Sequence, residues 1–329
     1  MDEETTSHER GRRTLAMRAG IAVLVIFLVA MVFGTVLWRR IDRFHVHLPG
    51  SSPGGTTYLI IGSDSREGIA PDEGLGDTSI HPGQRADIVL LVRVDHNGTR
   101  LISVPRDLLV LRDDQSLTRL ALTLLDGPEA VVDALCRSIG VGVDRVIIVK
   151  FDGFRELVDA VGGVDVHFDA PVRDDYTGLD VEQPGIVHMD GTAALALVRS
   201  RHPLTPDASG EWQPMDVTGD VRSRQARLVL KDVAAKIDLA WWSPFSSIKQ
   251  LWALTSALAV DDAANLFDLR HASGQLAAIG NADETELPVT VFGTGDIPTA
   301  QLLPEGRAVL DGFDRGTADN GCTTGLLAH

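Results

Sequence analysis

Residues 145–168 read RVIIVKFDGFRELVDAVGGVDVHF, and this stretch sets the fold class. RVIIVKF (145–151) is an apolar, β-branched run of strand length. DGFRELVDAVGG (152–163) has helical spacing, with Asp152 placed as N-cap and Gly162-Gly163 at the end. VDVHF (164–168) is a second strand. A strand–helix–strand unit lays a helix on a sheet, so a sheet with covered faces is expected. Upstream, TYLIIG (57–62), DIVLLVRVD (87–95) and TRLISVP (99–105) read as strands. His96-Asn97-Gly98 joins the last two, and Asn-Gly between β-rich runs predicts a hairpin. Residues 67–84 hold Gly, Pro and Asp without periodicity and read as a loop. Residues 128–139 read as a helix with Pro128 in its first turn. Further helices are expected over 190–201, 222–240 and 245–259, a polar loop over 203–219, and a late strand over 287–292. The sum is an α/β fold with a mixed central β-sheet flanked by helices.

The chain has 329 residues, enough for one large or two modest domains. At 44% hydrophobic and 23% charged it excludes wholesale disorder. A net charge of −16 argues against nucleic acid as a partner. The 30 basic residues include only Lys150, Lys231, Lys236 and Lys249 as lysines. The rest are Arg, whose planar fork suits bidentate phosphate contacts.

One segment departs from the globular profile. Ala19–Trp38 (AGIAVLVIFLVAMVFGTVLW) carries no charge. About 20 apolar residues span a bilayer core as a helix. The run is long for a signal peptide and no A-x-A site follows, so a retained transmembrane helix at 19–38 is expected. Arg10, Arg12, Arg13 and Arg18 precede it; Arg39, Arg40 and Arg43 follow. This balance and the short tail put residues 1–18 in the cytoplasm and the C-terminal domain outside. Residues 39–56, with PGSSPGG, read as a linker. Cys136 and Cys322 allow one bridge in an oxidising compartment; two separate buried thiols are the other reading.

Carboxylates and guanidiniums gather at element ends. GSDSR (62–66) follows a strand, Arg85-Ala86-Asp87 opens the next, and PRD (105–107) closes a third. VRSR (198–201) and the group Asp220, Arg222, Arg224, Gln225 and Arg227 come later. Strand ends in a covered sheet are where ligands bind. Several Arg forks with one or two Asp suit a magnesium-bound pyrophosphate, because Arg pairs with phosphate oxygens and Mg²⁺ takes carboxylate and phosphate oxygens. Each residue alone has a plainer reading: Asp as a turn cap, Arg222, Arg224 and Arg227 as a solvated helix face.

In order, LIIGSDSR, RADIVLLVRVD, LISVPRD, FDGFRELVDAVGGVDV, MDGTAALALVRSRH and an Arg-Gln-bearing helix follow the apolar segment. The series resembles the LytR-CpsA-Psr family of bacterial envelope proteins over about residues 57–240. The resemblance implies an extracytoplasmic domain of that family at 57–292, a C-terminal extension at 293–329, and one transmembrane helix before them. It implies a phosphotransferase on the cytoplasmic membrane's outer face. Such an enzyme moves a glycopolymer from a polyprenyl-pyrophosphate carrier to peptidoglycan through a phosphodiester link, with Mg²⁺ as cofactor. On matching positions, Asp64 and Asp87 correspond to the family's acidic metal site. Arg85, Arg106, Arg199 and Arg201 correspond to its pyrophosphate-binding arginines, and Arg224 and Gln225 to its Arg-Gln pair, with Arg222 just before them. Asp64, Asp87 and Arg106 are the expected catalytic set.

The sequence also departs from the family pattern. Where the family has Lys-x-Asn-Ala, it reads Arg119-Leu120-Ala121-Leu122. Asp220, Arg222 and Arg224 are spaced by two rather than about three. A non-catalytic envelope-binding protein and a polyprenyl-pyrophosphate hydrolase are the alternative readings.

Overall fold

The strand sequences IIG and IVLLV do not alternate apolar with polar, and the fold shows why: both faces of their sheet are covered. A computed structural model of the chain describes residues 18, 21, 24–25, 27–29, 31–49, 54–63, 84–96, 98–200, 202–215, 219–237, 244–264, 284–293, 299–310, 313 and 322, with the side chains of 152, 219–227, 244–246 and 284 outside the description. Two units form, one over residues 1–41 and one over 42–329. In the first, residues 31–40 are helical. Phe27, Met31 and Val32 are each more than 60% exposed there. Among the described residues no helix is long and apolar enough to cross a membrane.

The second unit opens with β1 (Asp42–Phe44), β2 (Gly55–Ser63), β3 (Ala86–Asp95) and β4 (Gly98–Val104). β5 (Leu109–Leu111), β6 (Leu117–Arg119), α1 (Leu120–Thr123) and α2 (Pro128–Ile139) follow. β7 (Arg145–Lys150) leads into α3 (Phe151–Ala160), then β8 (Val164–Phe168), β9 (Val172–Asp174), β10 (Leu179–Val181) and β11 (Gly185–Met189). Next are α4 (Gly191–Arg199), β12 (Leu204–Pro206), β13 (Trp212–Pro214), α5 (Gly219–Lys236) and α6 (Pro244–Ala257). The chain continues through β14 (Leu258–Asp261), β15 (Glu284–Glu286), β16 (Val289–Phe292), β17 (Thr299–Leu302) and α7 (Pro304–Leu310).

The central sheet has seven strands in the order β1-β14-β7-β2-β3-β4-β15. It is mixed: β3 runs antiparallel to β2 and β4, while β2 and β7 are parallel. Leu59, Ile61, Val89, Leu91 and Ile102 share a core with Val131, Val132 and Leu135 of α2. The intervening Ile60, Ile88, Leu90 and Leu101 form a second cluster, against which Val198 of α4 and Leu230 of α5 pack. Successive residues therefore serve opposite faces, and every position must be apolar. Each such side chain contributes roughly 1.5–3 kcal/mol when fully buried.

Several expectations are corrected. β8 does not return to the sheet that holds β7; it pairs antiparallel with β11 in a separate two-stranded sheet. Asp165 and His167 of β8 alternate with buried Val164 and Phe168, a pattern for a sheet with one wet face. Asp152 is not the N-cap: α3 begins at Phe151, with Lys150 at the cap and no side-chain bond there. The polar stretch 203–219 holds the β12–β13 hairpin, whose turn is tied by Asp207 Oδ1 accepting the N–H groups of Ser209 and Glu211. Residues 258–259 end in strand rather than helix, because β14 enters the central sheet beside β7. Buried Asp261 accepts the Val146 N–H at 2.9 Å; burial raises its pKa and that bond opposes the rise.

The stretch read as linker contributes β1, which pairs in parallel with β14, and the start of β2. Past residue 292, β17 pairs with β16 and Leu310 is buried in the main core. Cys136 of α2 and Cys322 are joined as a disulfide.

Two of the Asp-Gly pairs of the sequence, Asp152-Gly153 and Asp190-Gly191, serve close approach. A Cβ on Gly153 would lie 2.1 Å from the Ala257 Cα, so α3 and α6 touch backbone to backbone. A Cβ on Gly191 would lie 2.2 Å from the Arg155 carbonyl oxygen. The Gly191 N–H donates to Asp159 Oδ1 at 2.7 Å, and Asp190 caps α4 by accepting from the Ala193 N–H. Gly153→Ala is expected to lower stability by about 1–3 kcal/mol, the usual cost of forced overpacking, despite alanine's better helix propensity. Urea unfolding of the variant beside the parent chain checks this.

Candidate functional site

The site begins with a hairpin register. Asp95 pairs with Gly98 and Val89 with Val104, so β3 and β4 are joined by a two-residue turn. Gly98, at φ +127, opens β4 rather than sitting inside the turn. Two steps beyond Val89↔Val104, the same register brings Asp87 opposite Arg106. The contact follows: Arg106 Nη1 donates to Asp87 Oδ1 at 2.7 Å. The guanidinium also faces Asp107, with Nε 3.6 Å from Oδ2. Asp107 in turn accepts from Arg119 Nη1 at 3.4 Å. Asp87, Arg106, Asp107 and Arg119 thus form a chain of alternating charge. Their side chains are only 16–25% exposed, so water screens these contacts less than on an open surface.

Backbone bonds pin the loop that carries Arg106. Its carbonyl accepts from the Ala121 N–H at 2.8 Å, and the Asp107 carbonyl accepts from the Ala300 N–H at 2.8 Å. Leu120 N–H donates to the Leu108 carbonyl. Arg119-Leu120-Ala121, the segment that departs from the family pattern, therefore braces the PRD loop from the side and through the backbone.

The other expected residues fall as follows. Ser63, the last described residue before Asp64, pairs with Ala86 after a register shift at Gly62/Ser63. Arg85 and Asp87 flank that Ala86 at the opening of β3. Arg199 is the last residue of α4, next to Val198, which packs on the sheet cluster containing Ile88. That contact seats the end of α4 against the cluster built by β2, β3 and β4. Asp64 and Arg201 lie outside the described residues. Arg222, Arg224 and Gln225 are on α5, and their side chains lie outside the description. The structure thus joins Asp87 with Arg106 directly, ties in Asp107 of the PRD segment, and adds Arg119, which is not among the expected site residues. Extending the hairpin register by two residues is the signal that finds the first pair. No comparable signal in the sequence links Asp107 to Arg119.

Chemically, this is a partly buried, arginine-bearing cluster at strand ends, with oriented carboxylates holding the guanidiniums. Such forks match phosphate oxygens in pairs. The fold that carries this cluster is an α/β fold with a mixed central sheet and flanking helices.

Residues 40–213 match the LytR_cpsA_psr family, and the chain belongs to it. The probable cell wall biosynthesis protein LcpB of Corynebacterium glutamicum is 27% identical over 87% of this chain. The polyisoprenyl-teichoic acid–peptidoglycan teichoic acid transferase TagU of Halalkalibacterium halodurans is 30% identical over 66% of it. The chain spans 68% and 63% of the length of these two relatives. Among solved structures, a LytR-Csp2A-Psr enzyme from Actinomyces oris superimposes with a TM-score of 0.70 at 29% identity, over 84% of this chain and 97% of that one.

Proposed function

We propose that this protein is a phosphotransferase that moves a glycopolymer from a polyprenyl-pyrophosphate carrier onto peptidoglycan, forming a phosphodiester in cell-wall assembly. The contact between Arg106 and Asp87 at the mouth of the β3–β4 hairpin carries the reading. The relatives' names, cell wall biosynthesis and teichoic acid transfer to peptidoglycan, support it.

The residues do the following. Arg106, oriented by Asp87 and Asp107, meets the pyrophosphate with a fixed fork. Arg85 and Arg199, with Arg201, Arg222, Arg224 and Gln225 as further candidates, spread the remaining negative charge. A sugar hydroxyl of the acceptor attacks the phosphorus nearer the polymer. The new O–P bond forms as the bond to the bridging oxygen breaks, the hydroxyl proton passes to solvent, and polyprenyl phosphate leaves with the bonding electron pair on its oxygen. Positioning and electrostatic stabilisation dominate such transfer. Ile248 and Trp252, one turn apart on α6, are 46% and 42% exposed and offer an apolar wall for the prenyl chain.

The donor set fits Mg²⁺. Among the described residues no three His, Cys, Asp or Glu gather as a metal cluster. Asp87, with Asp64 as its expected partner, matches the one or two carboxylates that magnesium takes when phosphate oxygens complete its shell. Bound there, Mg²⁺ would neutralise developing phosphate charge. The charge-free run 19–38 and its exposed apolar side chains support a single membrane anchor, residues 1–18 in the cytoplasm and an extracytoplasmic domain.

The test uses the full chain in detergent with a synthetic polyprenyl-pyrophosphate sugar donor, with and without peptidoglycan. Mass spectrometry follows polyprenyl monophosphate. Release that depends on acceptor, yields a sugar conjugate, stops with EDTA and returns with Mg²⁺ is expected. Release without a conjugate replaces transfer by hydrolysis, and a donor bound but intact replaces it by binding alone.

A further inference from the structure

Asp174, the last residue of β9, is completely buried, and its carboxylate is bound to a distant turn. Oδ2 accepts from the Ser200 hydroxyl at 2.7 Å and from the His202 N–H at 2.9 Å. Oδ1 accepts from the Tyr176 N–H at 3.0 Å. The Tyr176 bond is local, the ordinary turn use of an aspartate. The bonds to Ser200 and His202 reach 26 and 28 residues along the chain. Burying a carboxylate is costly unless its oxygens are bonded, so this group constrains its partners strongly.

Those partners occupy a particular place. α4 ends at Arg199, and Ser200 leaves the helix with φ −58 and ψ 120. Ser200 is itself 5% exposed. Arg199 precedes it, and Val198 packs the helix end against the sheet cluster of Ile60, Ile88, Leu90, Val92 and Leu101. A helix end alone leaves the exit of the chain undefined, because its last carbonyls have no helical partner. Here a single carboxylate oxygen holds the residues on either side of position 201. No helix-capping rule requires that arrangement.

We infer that Asp174 is a positioning residue of the phosphate site: through Ser200 and His202 it fixes the turn that aims Arg199. The inference rests on the transfer reading above. It gives a role to the two long-range bonds of a fully buried acid at the end of a three-residue strand. Displacing an arginine by about 1 Å costs up to a hundredfold in rate, so a group that never touches substrate can carry a large kinetic effect.

The experiment is a double-mutant cycle in the full chain, with polyprenyl-phosphate release as readout. Ser200→Ala removes one bond to Asp174 and leaves the backbone bond from His202. It is expected to lower kcat roughly threefold to tenfold with KM unchanged, the signature of an interaction lost in the transition state. Its thermal midpoint should stay within a few degrees of the parent. Asp174→Asn, similar in shape but with one acceptor oxygen replaced by a donor, should lower kcat by roughly tenfold to a hundredfold. In an Arg199→Ala background, Ser200→Ala should change kcat less than twofold, because the residue it positions is gone. Full multiplication of the two effects overturns the inference, as does an active parent chain matched by both Asp174→Asn and Ser200→Ala. A parent chain with no release at all overturns the transfer reading instead, and is told apart by that result.

Discussion

Arg106→Ala is expected to lower turnover by a hundredfold or more. Loss of one preorganised donor at a developing charge costs roughly 3–4 kcal/mol of barrier. The substitution does more than delete a cation. It leaves Asp87 and Asp107, 19% and 16% exposed, without the guanidinium that lies between them. Asp107 would keep its bond from Arg119, while the Asp87 charge would face the incoming pyrophosphate without the Arg106 fork. Arg106→Lys separates the two effects: it restores the charge but cannot contact both carboxylates through a planar fork. Its turnover should lie between the parent and the alanine variant. Single-turnover kinetics on the donor analogue measures this. A loss below threefold for Arg106→Ala would remove Arg106 from the reaction.

Cys322→Ser is expected to cost the most stability. The bridge to Cys136 closes a span of 186 residues. Loop-closure entropy for such a span sets a ceiling of about 5 kcal/mol, and measured bridges more often give 2–4. Cys136 sits on α2, whose Val131, Val132 and Leu135 are under the sheet, so the bridge ties the C-terminal segment to the main core. Phe313, 2% exposed, packs in that core too. Denaturant unfolding should show a lower midpoint for Cys322→Ser. Reductant should move the parent chain to the same midpoint and leave the variant unmoved. Coincident parent and variant curves without reductant would show that the bridge contributes nothing.

The elements near the site were legible to different degrees. The β3–β4 hairpin was, because Asn-Gly chemistry and two β-rich runs act within a few residues. Its exact end was not: Gly98 pairs with Asp95 and begins β4 rather than sitting inside the turn. Asp87 and Arg106 were each singled out by strand-end position and by family resemblance. Their mutual contact follows from the hairpin register. Asp107 stands in the PRD segment, but nothing in the sequence marks Arg119 as its partner, since an ion pair across 12 residues through an intervening hairpin leaves no periodic trace. Asp174 was invisible for the same reason. Its partners Ser200 and His202 lie 26 and 28 residues along the chain, and no local pattern marks the contact.

What the sequence by itself determined is local: which runs extend and which coil, where a turn must form, and that the sheet is apolar on both faces. These follow from side-chain period and backbone preference, which act over a few residues. Only the tertiary structure decided which strands share a sheet. β1, β14 and β15 are three or four residues long and have no meaning until β7 and β4 offer them an edge. It also decided that β8 leaves the central sheet and that Cys136 meets Cys322. Finally, it decided that one buried carboxylate holds the turn after Arg199. Each is a long-range contact whose energy depends on burial, and burial exists only once the chain has folded.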